Sequence, residues 1–259
     1  MGTTPGFTDE LAVEAHGVRL VLAASDPGLL AKVSELAPTG AAPTSGGGRG
    51  QRFGLSTDDE DVYRVLQGET VALACRDLDL ALAALGTLVE EHVAFHAPER
   101  VFVNGGAAQF RRRAILVLGP PLGGTTTLVG ELVRAGASEW CDRYAALDRQ
   151  GLVHPYGARG RKADRRLWDA DDRVGPLPVG MIVTTHYKPG TGWNPRPCTE
   201  GDGVLALLAH AVAARERPEY ALQVVRAAAA GATVLEGERG EAGRAAEALL
   251  ETAGELFSV

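Results

Sequence analysis

An α/β fold is what this 259-residue sequence predicts, and three observations predict it. The apolar run Ala114-Ile115-Leu116-Val117-Leu118 ends at the turn Gly119-Pro120-Pro121-Leu122-Gly123-Gly124, and Thr125-Thr126-Thr127-Leu128-Val129 then opens a helix. Downstream, strand-like and helix-like apolar patterns alternate: Val179–Thr185 reads as a buried strand, Val204, Leu205, Leu207, Leu208, Ala211 and Val212 as a helix face, and Ala232–Leu235 as a strand. A hydrophobic content of 45% with 23% charged residues suits a globular chain of one large or two small domains.

The glycine turn fits the phosphate-loop template G-x-x-x-x-G-K-[ST], with Gly119 and Gly124 at the glycine positions and Thr126 at the hydroxyl that ligates Mg²⁺. Glycines let backbone N–H groups turn toward a phosphate, and the following helix adds its positive end. The template's lysine supplies a mobile full charge. Thr125 stands in its place, with a hydroxyl and no charge. Losing one such donor typically costs about 3 kcal/mol of transition-state stabilisation, roughly a hundredfold in rate. The backbone cradle can outlast that loss.

Taken in order, the chain begins with the apolar run Val18–Ala24 and a helix over Pro27–Leu36. Residues 38–50 are rich in Pro, Gly and Ser and read as a flexible loop. Strands follow at Phe53–Ser56, Val62–Leu66 and Val71–Cys75, then an amphipathic helix from Asp77 to His96, closed by Pro98. A boundary there separates a smaller N-terminal α/β domain, 1–98, from a phosphate-loop domain, 99–259. In the second domain, Val101–Val103 and Ala114–Leu118 are strands joined by a turn carrying Asn104-Gly105-Gly106 and Arg111-Arg112-Arg113. The loop helix runs Thr126–Ala135 and stops at Gly136. Ser138–Ala146 reads as one strand containing Asp142, Leu152–Pro155 as a short one, and 157–176 as a basic irregular loop. Thr199 with Asp202 makes a capping box before the next helix, Pro218 starts another, and Glu241–Leu256 is the last.

A net charge of −7 argues against nucleic acid as the main partner. The three cysteines, Cys75, Cys141 and Cys198, form no C-x-x-C pair. No basic, apolar leader opens the chain and no apolar run is long enough for a bilayer, so a cytoplasmic protein without membrane partners is expected. A homo-oligomer stays open.

The order of elements after residue 99 resembles the catalytic domain of HPr serine kinases, relatives of phosphoenolpyruvate carboxykinases. The resemblance covers the phosphate loop, the stretch from Arg134 through Asp142 to Asp148, Gly151-Leu152-Val153-His154-Pro155-Tyr156, Tyr187-Lys188-Pro189-Gly190, the helix from Gly203 to Arg215, and Arg239-Gly240-Glu241-Ala242. It implies ATP on Gly119, Gly123, Gly124, Thr125, Thr126 and Thr127, and Mg²⁺ on Thr126 and Asp142. His186, Lys188 and Arg239 are implied near substrate or phosphate. Three positions depart from the family: the loop lysine is Thr125, the second acidic residue after Asp142 is Arg143, and the usual histidine of the preceding strand is Asn104. Arginine neither holds a cation nor accepts a hydroxyl proton. The resemblance thus implies Asp142, Arg143 and Asn104 as the catalytic positions of a degenerate site.

The expected function is an HPr-kinase-like protein that binds a nucleotide or other phosphorylated ligand and is repurposed for other chemistry on a peptide or metabolite. One alternative is a working ATP-dependent kinase in which Arg143, Lys188 or one of Arg111–Arg113 restores the lost charge. Another is a non-catalytic binding partner. Elsewhere, His92 and His96 stand four apart on a helix but have no third ligand, and read as a helix end rather than a metal site. His154 reads as structural, Trp140, Trp168 and Trp193 as packing residues, and Arg159, Arg161, Lys162, Arg165 and Arg166 as a solvated loop that can also clamp an anion.

Overall fold

Three sheets and six helices make up the computed structural model, which describes residues 7–44, 50–141, 143–157 and 175–257, and the chain is mixed α/β. The described residues part into two compact units between Pro98 and Glu99.

The first unit is one sheet of β1 (Asp9–Ala15), β2 (Val18–Ala24), β3 (Ala42–Pro43), β4 (Gln51–Thr57), β5 (Tyr63–Gln67) and β6 (Thr70–Cys75), in the order β3-β1-β2-β4-β5-β6. Only β2 and β4 pair parallel. Helix α1 (Pro27–Ser34) starts at Asp26 and α2 (Leu78–His96) at Asp77, whose carboxylates accept from Leu29 N and Leu80 N at 2.9 and 3.0 Å. Leu85, Val89 and Val93 form the buried stripe of α2. Two elements differ from expectation. β1 is a strand that local pattern hid behind its acidic residues, and β3 pairs with β1 inside the stretch expected to be loop.

The second unit holds the larger core. Its strands are β7 (Val101–Asn104), β8 (Gly106–Phe110), β9 (Arg113–Leu118), β10 (Ser138–Cys141), β11 (Tyr144–Leu147), β12 (Val153–His154), β13 (Val179–Tyr187), β14 (Arg196–Cys198) and β15 (Thr233–Arg239). One sheet runs β10-β8-β9-β13-β15-β14 and a small one β12-β11-β7. β9, β13 and β15 are parallel neighbours, and their buried Ile115, Val117, Met181, Val183 and Leu235 give the continuous apolar runs such strands require. Helices α3 (Thr125–Arg134) and α6 (Ala242–Leu256) cover this core through Leu128, Leu132, Leu249 and Ala253. Helices α4 (Glu200–His210) and α5 (Pro218–Ala229) complete the unit.

Two corrections concern the approach to the loop. The expected turn after Val103 is instead β8, hydrogen-bonded to β9 from Gly106 opposite Val117 to Phe110 opposite Arg113. The single strand expected over Ser138–Ala146 is two: β10 pairs with β8 while β11 pairs with β7 in another sheet. No local period distinguishes one long strand from two short ones that change sheets. At the other end of the parallel strands, Leu118 lies opposite Thr184 and Tyr187 opposite Arg239. Ligands of α/β sheets bind at such carboxyl ends.

Candidate anion-binding site

The loop leaves β9 at Leu118 and is shaped by what presses on its glycines. A Cβ on Gly119 would overlap the carbonyl oxygen of Thr185 in β13, so only glycine fits. Gly123 N then donates to Pro120 O at 2.8 Å, closing a turn whose tip, Leu122, is fully exposed at φ +62°. Gly124 caps α3 in the left-handed region, φ +78°, with no side-chain hydrogen bond to the first-turn amides. The first helical bond is Leu128 N to Gly124 O at 3.0 Å. The amides of Thr125, Thr126 and Thr127 thus have no acceptor within the helix. Thr126 and Thr127 are exposed and Thr125 is half-buried.

Arg239, the last residue of β15, brings a guanidinium to the loop. It is 2% exposed, and its Nη2 donates to Gly124 O at 2.6 Å and Gly123 O at 3.4 Å. Nη1 donates to Gly240 O at 3.2 Å, and the Tyr187 ring lies 5.9 Å from the guanidinium carbon. Burial pulls the Arg239 pKa down, against the opposing fields of Glu241 and Tyr187. A guanidinium nevertheless stays charged at neutral pH. Among the described residues Arg239 has no ion-pair partner, and its buried Nε has no hydrogen-bond partner. Thr185 Oγ1, beneath Gly119, is likewise buried and unpartnered. A buried cation satisfied only by carbonyl oxygens is costly unless a counter-charge arrives.

The other predicted residues fall in different places. Lys188 Nζ donates to Glu238 Oε2 at 2.7 Å, and His186 Nε2 lies 3.4 Å from Glu238 Oε1. The hydrogen bond from Lys188 holds the Glu238 carboxyl below its ordinary range. Lys188 is thus paired with a carboxylate rather than with the loop. Arg111–Arg113 are not at the loop either. They sit at the start of β9, about 17 Å of strand from the loop, where Arg111 bonds Gly254 O and Arg113 lies over Phe257. Asn104 ends β7, exposed and opposite Tyr144, and Gly105 N donates to Arg143 O at 2.9 Å. Because Gly106 faces Val117, Asn104 and the Arg143 backbone flank the strand end that feeds the loop. Asp142, the basic stretch from Arg159 to Arg166, and Trp168 lie outside the described residues.

A scan against protein-family models returns no match, and no curated protein matches the chain.

Among the described residues no three His, Cys, Asp or Glu side chains cluster as a metal would need, and no helix is long and apolar enough to cross a membrane. His92 and His96 stack at 4.1 Å with no third ligand, and burial, followed by the charge of His96, lowers the His92 pKa to about 4. His154 Nε2 meets buried Asp148 Oδ2 at 2.7 Å, while Asp148 Oδ1 accepts from Gln150 N and Leu152 N, which locks the β11–β12 hairpin. Trp140 donates to Val153 O at 3.1 Å, and Trp193 packs on the core. One residue at the site escaped sequence reasoning. His210, at the end of α4, places Nε2 3.2 Å from Gly119 O. It interrupts an apolar helix face, and no local pattern ties it to a loop 91 residues earlier.

Proposed function

We propose that the second unit is a phosphate-loop domain of HPr-kinase type that holds a nucleotide or another phosphorylated small molecule or peptide at residues 119–127, in a site altered from that of a working kinase. Buried Arg239 carries this reading. Its guanidinium lies against the carbonyls of Gly123 and Gly124 with Nε unpartnered, beside the open amides of α3. A phosphate there meets both a full charge and a helix N-terminus.

Arg239 and Thr125 together divide the work of the missing lysine. The charge comes from β15 and is fixed by its own hydrogen bonds, whereas a loop lysine moves with the transferring group. A fixed cation favours bound phosphate and transition state alike, and such uniform binding does not speed the chemical step. Neither Asn104 nor Arg143 accepts a proton from a substrate hydroxyl. The residues fit ATP by its phosphates. For Mg²⁺ the loop itself offers the exposed Thr126 hydroxyl. Bound Mg²⁺ would neutralise phosphate charge, while the chain's part is to hold and orient.

The test is calorimetric titration of the full chain with ATP, ADP and pyrophosphate, each with and without Mg²⁺, beside an ATP-turnover assay. Saturable binding with turnover near background is expected. No binding at millimolar ligand would overturn the anion site, and robust turnover would overturn the altered-site reading.

A further inference from the structure

We propose that His210 is a positioning residue of the anion site: a proton-dependent clasp on the Gly119 carbonyl that sets the opening of the loop. The proposal rests on the anion-site reading above.

His210 is half-buried, and its ring bridges two elements. Nδ1 lies 2.8 Å from Ala206 O, one turn back in α4, and Nε2 lies 3.2 Å from Gly119 O. A carbonyl oxygen only accepts, so each contact needs an N–H on the ring. The neutral imidazole has one N–H and the imidazolium has two. The neutral ring must therefore leave one carbonyl facing a nitrogen lone pair. Proton uptake completes both bonds and adds a positive charge at the loop's first residue.

The end of α4 is held in place without the ring. Its start is fixed by the capping box of Thr199 and Asp202. Just past its end, Val212 N donates to Phe102 O at 2.8 Å, and Val103 bridges antiparallel to Ala211. That bridge sets Asn104 and His210 at facing register positions, so the histidine stands on a frame that includes β7. On its other side Gly119 is crowded by the Thr185 carbonyl. The clasp thus acts on one remaining freedom, the orientation of the peptide between Gly119 and Pro120.

The charged and titratable side chains on and around α4 are these. α4 itself carries Glu200 and Asp202 at its far end. Of the elements packed on it, β7 has none, β9 has Arg113 at its distant start, β15 has Glu236, Glu238 and Arg239, and α5 has Glu219, Tyr220 and Arg226. Glu236 and Glu238 are engaged by Arg196 and Lys188, and among the described residues none of these groups pairs with His210.

Sulfate is the probe, because it stays a dianion across the working range and leaves only the protein to titrate. Its affinity for the full chain is measured at pH 6 and pH 8, an interval in which histidines change charge, for wild type, His210→Gln and His210→Leu. Wild type is expected to bind about three- to tenfold more tightly at pH 6, the scale of one hydrogen bond. His210→Gln keeps a donor that does not titrate, and should bind with little dependence on pH. His210→Leu should bind weakly at both. A leucine variant equal to wild type, or a glutamine variant with the wild-type pH dependence, overturns the clasp while leaving the anion site standing. Absence of sulfate binding by wild type at either pH overturns the anion site itself, and the clasp with it.

Discussion

Glu238 and Arg239 are neighbours on one strand, and they end up in opposite electrostatic conditions. Glu238 faces out and is paired with Lys188 and His186, so every charge there is matched. Arg239 is buried and bonded to backbone carbonyls, with the field of Glu241 but no ion-pair partner among the described residues. Exposed pairs of the first kind are screened by water and contribute little. A buried, unmatched cation is a standing demand for an anion. The lesson is that Lys188 and Arg239 at one sheet end are not equivalent candidates: Lys188 pairs with Glu238, which alternation along β15 turns outward, while the next residue, Arg239, turns toward the loop.

The sharpest way to break the comparison is Arg239→Leu. It should weaken pyrophosphate binding about tenfold to a hundredfold, the scale of one charged hydrogen bond, as read by titration calorimetry. Unchanged affinity would remove Arg239 from the site. Gly119→Ala comes next: its Cβ must displace the Thr185 carbonyl, and an expected loss of about 1–3 kcal/mol should appear in urea unfolding together with weaker pyrophosphate binding. Thr125→Lys adds a mobile charge beside the fixed one, and should raise ATP affinity by about tenfold or less without restoring turnover. If turnover returns, the missing lysine is the site's main defect.

The smallest effects belong to the exposed pair. Lys188→Met should leave pyrophosphate affinity unchanged, and a loss like that of Arg239→Leu would erase the distinction between the two cations. Glu238 supplies the pH test. Its folded-state pKa is depressed below the ordinary 4.5, so its contribution is complete above that value and is lost as pH falls through the lower, folded one. Thermal melts between pH 5 and 3 should show a slightly shallower acid loss in Glu238→Gln than in wild type. Identical slopes would mean the pairing adds nothing.

Much of the framework was legible in the residues. The buried parallel strand at Val179, the glycine loop entering α3, and the Thr199–Asp202 box are written in local spacing, and local spacing is what strands, caps and tight turns obey. β8 was hidden because Gly106-Ala107-Ala108 carries turn-like composition and finds its strand character only against β9. The resemblance singled out Arg239, but its burial depends on a contact to Gly124 at a separation of 115 residues. His210 was invisible for the same reason, since its partner is a carbonyl, which every residue possesses and none advertises.

That separation also has a meaning in time. A ribosome adding about 5–20 residues per second needs roughly 6–23 s to go from Gly124 to Arg239. Throughout that interval the nascent loop has its glycines and helix start but lacks its cation. On the proposed reading the site matures late, when β15 closes onto β13, and a nascent chain would hold a phosphorylated ligand firmly only once its sheet is nearly complete.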